Sequence, residues 1–128
     1  MDKTTLVDND ITEGKKLIER LDKTSFNVSA ALWFYDTELN EWRFYLATDY
    51  LKKHTLQDAY NFVQDELKAI NAVNISSDNI SIVDLDDELV KLIKFIITTG
   101  KKEIQNIRVS RNVINGVMIE DVFVYRNS

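Results

Sequence analysis

The stretch Ile104–Arg126, with the sequence IQNIRVSRNVINGVMIEDVFVYR, decides the fold of this chain. Two runs rich in β-branched and aromatic residues, 104–114 and 117–126, flank the dipeptide Asn115-Gly116. Because Asn and Gly both tolerate positive φ, Asn-Gly between two such runs is a strong signal for a two-residue hairpin turn. The stretch therefore predicts a C-terminal β-hairpin.

The hairpin register assigns each side chain of the two strands to one face. With a two-residue turn, one face is predicted to carry the facing pairs Val113–Met118, Arg111–Glu120, Val109–Val122 and Ile107–Val124. The opposite face then carries Arg108–Phe123, Ser110–Asp121, Asn112–Ile119 and Asn106–Tyr125. The first face is an apolar ladder with one ion pair and the second is polar, and a bulge would exchange the two faces.

The polar face contains the candidate ligand-binding residues, which are Arg108, Ser110, Asn112 and Asp121. A guanidinium among polar groups suits an anionic or polar small ligand, which Arg108 would hold by charge-assisted hydrogen bonds. The alternative is a solvated sheet face with cross-strand hydrogen bonds, as exposed strand faces commonly are. Arg111 and Glu120 form a predicted ion pair, with either a structural or a functional role.

Hydrophobic periodicity predicts three helices and three further strands ahead of the hairpin. The predicted helices are 11–24, 55–71 and 86–99, and the predicted strands are 26–35, 42–48 and 80–83. The order α-β-β-α-β-α-β-β predicts an α+β or α/β fold with one mixed five-stranded sheet and helices packed against it. Strand 26–35 is apolar on both faces, Val28 and Ala30 on one and Trp33 on the other, so we expect it in the centre of the sheet.

Polar residues and glycines mark the predicted helix ends. Asp10 and Glu13 form a predicted capping box for the first helix, Thr55 caps the second, and Gly100 ends the third. Gly14 weakens the first helix by about 1 kcal/mol relative to alanine, so we expect it to allow another backbone to come close. In the third helix Phe95 falls outside the apolar stripe, and an outward Phe there would mark a dimer contact.

The composition is that of one globular domain. Of the 128 residues, 45% are hydrophobic and 29% charged, and we expect a flexible tail over 1–9 followed by a single domain over 10–128. The absence of cysteine excludes disulfides, thiolate metal ligands and a cysteine nucleophile. His54, the single histidine, is expected on a surface loop, and the acidic run 84–88 is explained by helix capping rather than by a metal site. No cofactor or metal is predicted.

Charge narrows the classes of partner. The net charge is −5, from 16 basic and 21 acidic residues, and a chain without a basic stripe is a poor candidate for nucleic-acid binding. No apolar run approaches the roughly 20 residues that span a bilayer, and the first ten residues do not resemble a secretory signal. We therefore expect a cytoplasmic protein without membrane contact.

The hairpin sequence also resembles that of a known group of proteins. The runs Arg108–Gly116 and Ile119–Arg126, together with Ala30–Tyr35 and Glu41–Arg43, are similar to a family of small bacterial proteins of unknown function. The resemblance extends from the first helix to Arg126. It implies a single-domain bacterial protein and no particular activity.

Two functional hypotheses follow. The first is a small binding or interaction module that self-associates, since side chains suited to catalysis are scarce and aromatic residues are abundant. The second is an enzyme or small-ligand-binding protein that uses the polar face of the hairpin. The sequence favours the first.

Overall fold

The computed structural model describes residues 4–128, so positions 1–3 of the predicted tail lie outside the described residues. The helices are α1 (Asp8–Asp22), α2 (Leu56–Ala69) and α3 (Glu88–Ile93). The strands are β1 (Val28–Asp36), β2 (Glu41–Thr48), β3 (Ile80–Val83), β4 (Ile107–Ile114) and β5 (Val117–Asn127). This confirms the predicted order of elements and the α+β fold.

The five strands form one mixed sheet in the order β3-β2-β1-β5-β4. β2 and β3 are parallel, whereas the pairs β1–β2, β1–β5 and β4–β5 are antiparallel. β1 lies in the middle, as its two apolar faces predict. β3 and β4 are the edge strands. Tyr60 caps the free edge of β3, since its hydroxyl donates to Ile80 O (3.0 Å) and accepts from Ile82 N (3.2 Å).

The two faces of the sheet are covered unequally. α1 and α2, of 15 and 14 residues, pack on one face over the larger core, which includes Leu17, Ile18, Trp33, Phe44 and Val63. The opposite face packs against α3, which has only 6 residues. At 1.5 Å per residue α3 is ~9 Å long, about half the ~19 Å width of a five-stranded sheet. The segment after α3 therefore completes this layer, with Ile97 buried in the same cluster as Ile93.

α2 begins as predicted and α1 does not. Thr55 Oγ1 accepts from Asp58 N, and the Asp58 carboxylate accepts from Thr55 N, which closes a capping box. The predicted Asp10–Glu13 box is wrong, because α1 begins at Asp8 and the Asp10 carboxylate accepts instead from Val7 N. The helix starts earlier because this bond satisfies a free N–H one turn before the predicted cap. Of the predicted tail, residues 8 and 9 belong to α1, and its flexibility stays a prediction.

The third helix is shorter than the predicted 86–99. α3 ends at Ile93, and the chain continues in a turn to Ile96 instead of reaching Gly100. The reason is tertiary: Thr99 N donates to Asn127 O, and Thr99 Oγ1 accepts from Asn127 N. These two bonds to the end of β5 fix the backbone of Thr99 outside a helix. The helix start is as expected, since Asp87 Oδ2 accepts from Val90 N.

An irregularity in β1 corrects the predicted face of one residue. In β1 the pairing with β2 shifts between Val28 and Ala30, so Val28 packs in the same cluster as Trp33 and not with Ala30 as strict alternation predicts. Because a bulge adds one residue to one strand, it reverses the alternation on one side of it. The predicted face of Val28 was therefore wrong, whereas Ala30 and Trp33 lie on opposite faces of the sheet, as predicted.

The hairpin has the predicted turn and register, but its faces exchange halfway along. Asn115 and Gly116 have φ of 49° and 80°, as a type I′ turn requires. Val109 and Ile114 both belong to the cluster on the α3 side, although they are five residues apart. The exchange falls at Arg111, whose φ of 50° lies in the left-handed region. The predicted apolar ladder is thus wrong between Arg111 and the turn, where the paired residues Val113 and Met118 are exposed.

Candidate functional site

The structure brings three of the four candidate ligand-binding residues together. Arg108 Nε and Nη2 donate to the two oxygens of Asp121 at 3.1 and 2.7 Å, and Ser110 Oγ donates to Asp121 Oδ1 at 2.9 Å. The Arg108 guanidinium also lies over the Trp42 ring, 5.4 Å from its centroid. We call these four residues the Arg108 cluster. It spans β2, β5 and β4 on the face that α1 and α2 cover.

Asn112, the fourth candidate, does not join this cluster. It pairs with Ile119, which is buried on the α3 side of the sheet, whereas Arg108 pairs with Phe123, which is buried on the α1 side. Since facing residues share a face, the exchange at Arg111 moves Asn112 to the opposite side of the hairpin. The predicted set of four is therefore divided.

Within the Arg108 cluster the charged groups satisfy each other. The hydrogen bond to Asp121 raises the pKa of Arg108, so the guanidinium stays charged. A bidentate Arg–carboxylate pair stacked on an indole is a favourable cross-strand arrangement. A small ligand would have to compete with Asp121 for the guanidinium.

The predicted ion pair, Arg111–Glu120, is formed at 3.7 Å and its side chains are 83% and 43% exposed.

The apolar groups left exposed on the α3 side form the other candidate site. Phe95 and Ile96, in the turn after α3, are 69% and 42% exposed. Leu89 and Leu92 on α3 are half-buried against the cluster that also contains Ile93. We call the exposed side of residues 84–102 the α3 surface. Phe95 is exposed, as its place outside the apolar stripe predicts, but it lies in the turn after α3 and not in the predicted helix.

Aromatic residues of the sheet continue this layer. Phe34 and Tyr45 pack edge to face at 6.1 Å and are half-buried against the same cluster. Burial raises the pKa of the Tyr45 hydroxyl, and the nearby carboxylates of Asp87 and Asp36 raise it further. The layer is thus apolar, with a neutral phenol beside the acidic start of α3.

His54 and the acidic run occupy the loops where β2 and β3 end. An open cleft of about 610 Å³ is lined by Leu51, by His54 and by the acidic residues of 84–88. His54 is exposed, as expected, and its ring stacks on Tyr50 with 3.8 Å between centroids. Over residues 4–128 no group of three or more His, Asp or Glu side chains is placed to hold a metal ion.

Three buried polar groups escaped the sequence reasoning. The Arg126 side chain is fully buried and makes a bidentate pair with Asp22, both bonds at 2.8 Å. Glu13 accepts from three consecutive backbone N–H groups, at positions 73–75. The Tyr125 hydroxyl donates to a carbonyl of α1. Each joins segments far apart in the chain, so no local pattern marks them. Arg126 and Tyr125 fix α1 to β5, and Glu13 fixes α1 to the loop after α2.

Comparison with protein-family models, with curated proteins and with solved structures found no match for this chain. The resemblance to a bacterial family therefore stays a prediction. Among the described residues no helix is long and apolar enough to cross a membrane.

Proposed function

We propose that this protein is a self-associating interaction module and that it binds through the α3 surface. The observation that supports this is the exposure of Phe95 and Ile96, at 69% and 42%, in the turn after α3. Exposed adjacent apolar side chains cost free energy in water, and covering them on association recovers it. Aromatic anchors of this kind contribute much of the binding free energy at protein interfaces.

The state of the other candidate groups also favours an interaction module. The Arg108 guanidinium is bound to Asp121 and rests on Trp42, so the cluster is satisfied without a ligand. His54 is exposed, its ring stacks on Tyr50, and its Nδ1 lies 3.2 Å from Tyr50 O, to which the Nδ1-protonated ring donates. The ligand-binding alternative for the polar hairpin face accordingly has less support than association.

The experiment is sedimentation velocity over a hundredfold range of protein concentration. We expect the wild type to form dimers whose fraction rises with concentration. The variant Phe95→Ser/Ile96→Ser should associate at least tenfold more weakly, because both apolar anchors are lost. Val73→Ser is the matched control, since Val73 is 77% exposed but lies in the loop after α2, on the other layer.

Two results would overturn the proposal. One is a wild type that stays monomeric at the highest concentration. The other is a dimer that the double variant leaves unchanged, or that Val73→Ser weakens as much. Circular dichroism of each variant verifies that the helices and the sheet are intact, so that loss of association is not loss of the fold.

A further inference from the structure

The α3 surface has opposite charge at its two ends. Four acidic residues occupy positions 84–88, and the lysines at the other end of the helix are Lys91 and Lys94, because Lys101 and Lys102 lie back beside Leu85. Asp86, Glu88, Lys91 and Lys94 are all exposed. The exposed apolar groups, Leu92 in part and Phe95 and Ile96 more fully, belong to the same segment. The surface is therefore an apolar patch with an acidic side and a basic side.

We infer that the partner on this surface is a second copy of the chain, bound antiparallel across a two-fold axis. This inference rests on the proposed function, since it names the partner and the orientation at the same site. An isologous interface must be self-complementary, because the same patch is present on both subunits. Antiparallel pairing sets the acidic end of one copy against the lysine end of the other, twice. Parallel pairing would set like charges together at both ends, which is unfavourable.

The charges also disfavour a partner whose surface carries only one sign of charge. A uniformly acidic or uniformly basic protein surface would meet its own sign at one end of the α3 surface. The patch suits a partner that is itself polarised, and a second copy has that property by construction. Charge contacts at the rim set the orientation and the rate of association more than the affinity.

A charge-reversal experiment tests the orientation. One variant, Asp86→Lys/Glu88→Lys, replaces two exposed acidic side chains with lysines, and the other, Lys91→Glu/Lys94→Glu, replaces two exposed lysines with glutamates. Neither set includes Asp87, which caps α3. Sedimentation velocity should show that each variant alone associates at least tenfold more weakly than the wild type. The equimolar mixture should form a heterodimer within about threefold of wild-type affinity, since both of its contacts then join opposite charges.

Cross-linking supplies a second readout on the whole chain, which contains no native cysteine. Under mild oxidation, a mixture of Glu88→Cys and Lys94→Cys should give a disulfide-linked heterodimer at least fivefold faster than either variant gives a homodimer. Faster linking of Glu88→Cys to itself would mean parallel pairing and would overturn the inference.

The outcomes separate the two proposals. A monomeric wild type overturns both. A wild-type dimer that depends on Phe95 and Ile96, but is indifferent to charge reversal and to mixing, overturns the antiparallel orientation and leaves the α3 surface as the site of self-association. Association of the wild type that Phe95→Ser/Ile96→Ser does not weaken overturns the surface itself.

Discussion

Replacing Gly14 by alanine tests the close packing of α1 against Tyr125 and Trp33. A Cβ at this position would lie 2.5 Å from Tyr125 Oη and 3.3 Å from Trp33 Nε1. The hydroxyl is held on both sides: it donates to Ile11 O at 2.7 Å and accepts from Trp33 Nε1 at 3.0 Å. The hydroxyl can therefore move away from the new Cβ only if it loses hydrogen bonds. Gly14 allows a side chain to come close, rather than the backbone that the sequence suggested.

The net effect is a balance of two opposing terms. In an exposed helix the change from glycine to alanine stabilises by about 1 kcal/mol. Overpacking a filled core costs about 1–3 kcal/mol, and each hydrogen bond lost costs about 0.5–1.5 kcal/mol. We expect Gly14→Ala to lower the free energy of unfolding by about 1–3 kcal/mol, measured by urea denaturation. Lys16→Ala, at an exposed position of the same helix, should change it by less than about 0.5 kcal/mol.

A double-mutant cycle locates the cause. Tyr125→Phe removes the oxygen that the new Cβ would meet, so Gly14→Ala should become nearly neutral in that background. The interaction free energy between the two substitutions should then reach at least about 1 kcal/mol. Additivity within about 0.5 kcal/mol, or a Gly14→Ala protein more stable than the wild type, would refute this reasoning.

Three further outcomes follow from the buried polar groups. Glu13→Gln should lower the free energy of unfolding by about 2–3 kcal/mol in urea, because an amide cannot accept from all three N–H groups of 73–75; an unchanged denaturation midpoint would contradict this. Arg126→Lys should lower it by about 3–5 kcal/mol, since lysine cannot hold both oxygens of Asp22, and thermal melts that coincide with wild type would rule out the pair as an anchor. Burial raises the pKa of Tyr125 above the value of about 10 that it has in the unfolded chain. The neutral phenol therefore contributes its full stability below about pH 10. This contribution declines at higher pH, by at most about 1.4 kcal/mol per pH unit. Urea titrations from pH 9 to 11 should show a shallower decline in Tyr125→Phe, and equal slopes would count against this.

Much of the hairpin was predictable because its signals are local. Asn115-Gly116 adopts the positive φ values that only a few residue types tolerate, and the pairing on both sides keeps the predicted register. The same holds for the capping box at Thr55. What failed was the assumption of unbroken alternation. Arg111 in the left-handed region exchanges the faces, and nothing in the sequence around it requires that conformation.

The candidate site divides in the same way. The sequence placed Arg108, Ser110 and Asp121 together, because facing residues in a hairpin are neighbours whatever the rest of the fold does. It did not predict Trp42 beneath the guanidinium, since that contact depends on the order of the strands. Periodicity placed Phe95 outside the apolar stripe, yet Phe95 lies in the turn after α3, so its exposure depends on where that helix ends.

The sequence by itself determined the order of the elements, the hairpin turn and the capping box at Thr55, since each of these depends on spacing within a few residues. Tertiary structure decided the order of the strands, the end of α3 at Ile93 and the partners of Glu13 and Arg126. These features join positions as much as 104 residues apart, as Asp22 and Arg126 are. Because such contacts form only when the whole chain is packed, the free energy that selects them is absent from any local stretch of sequence.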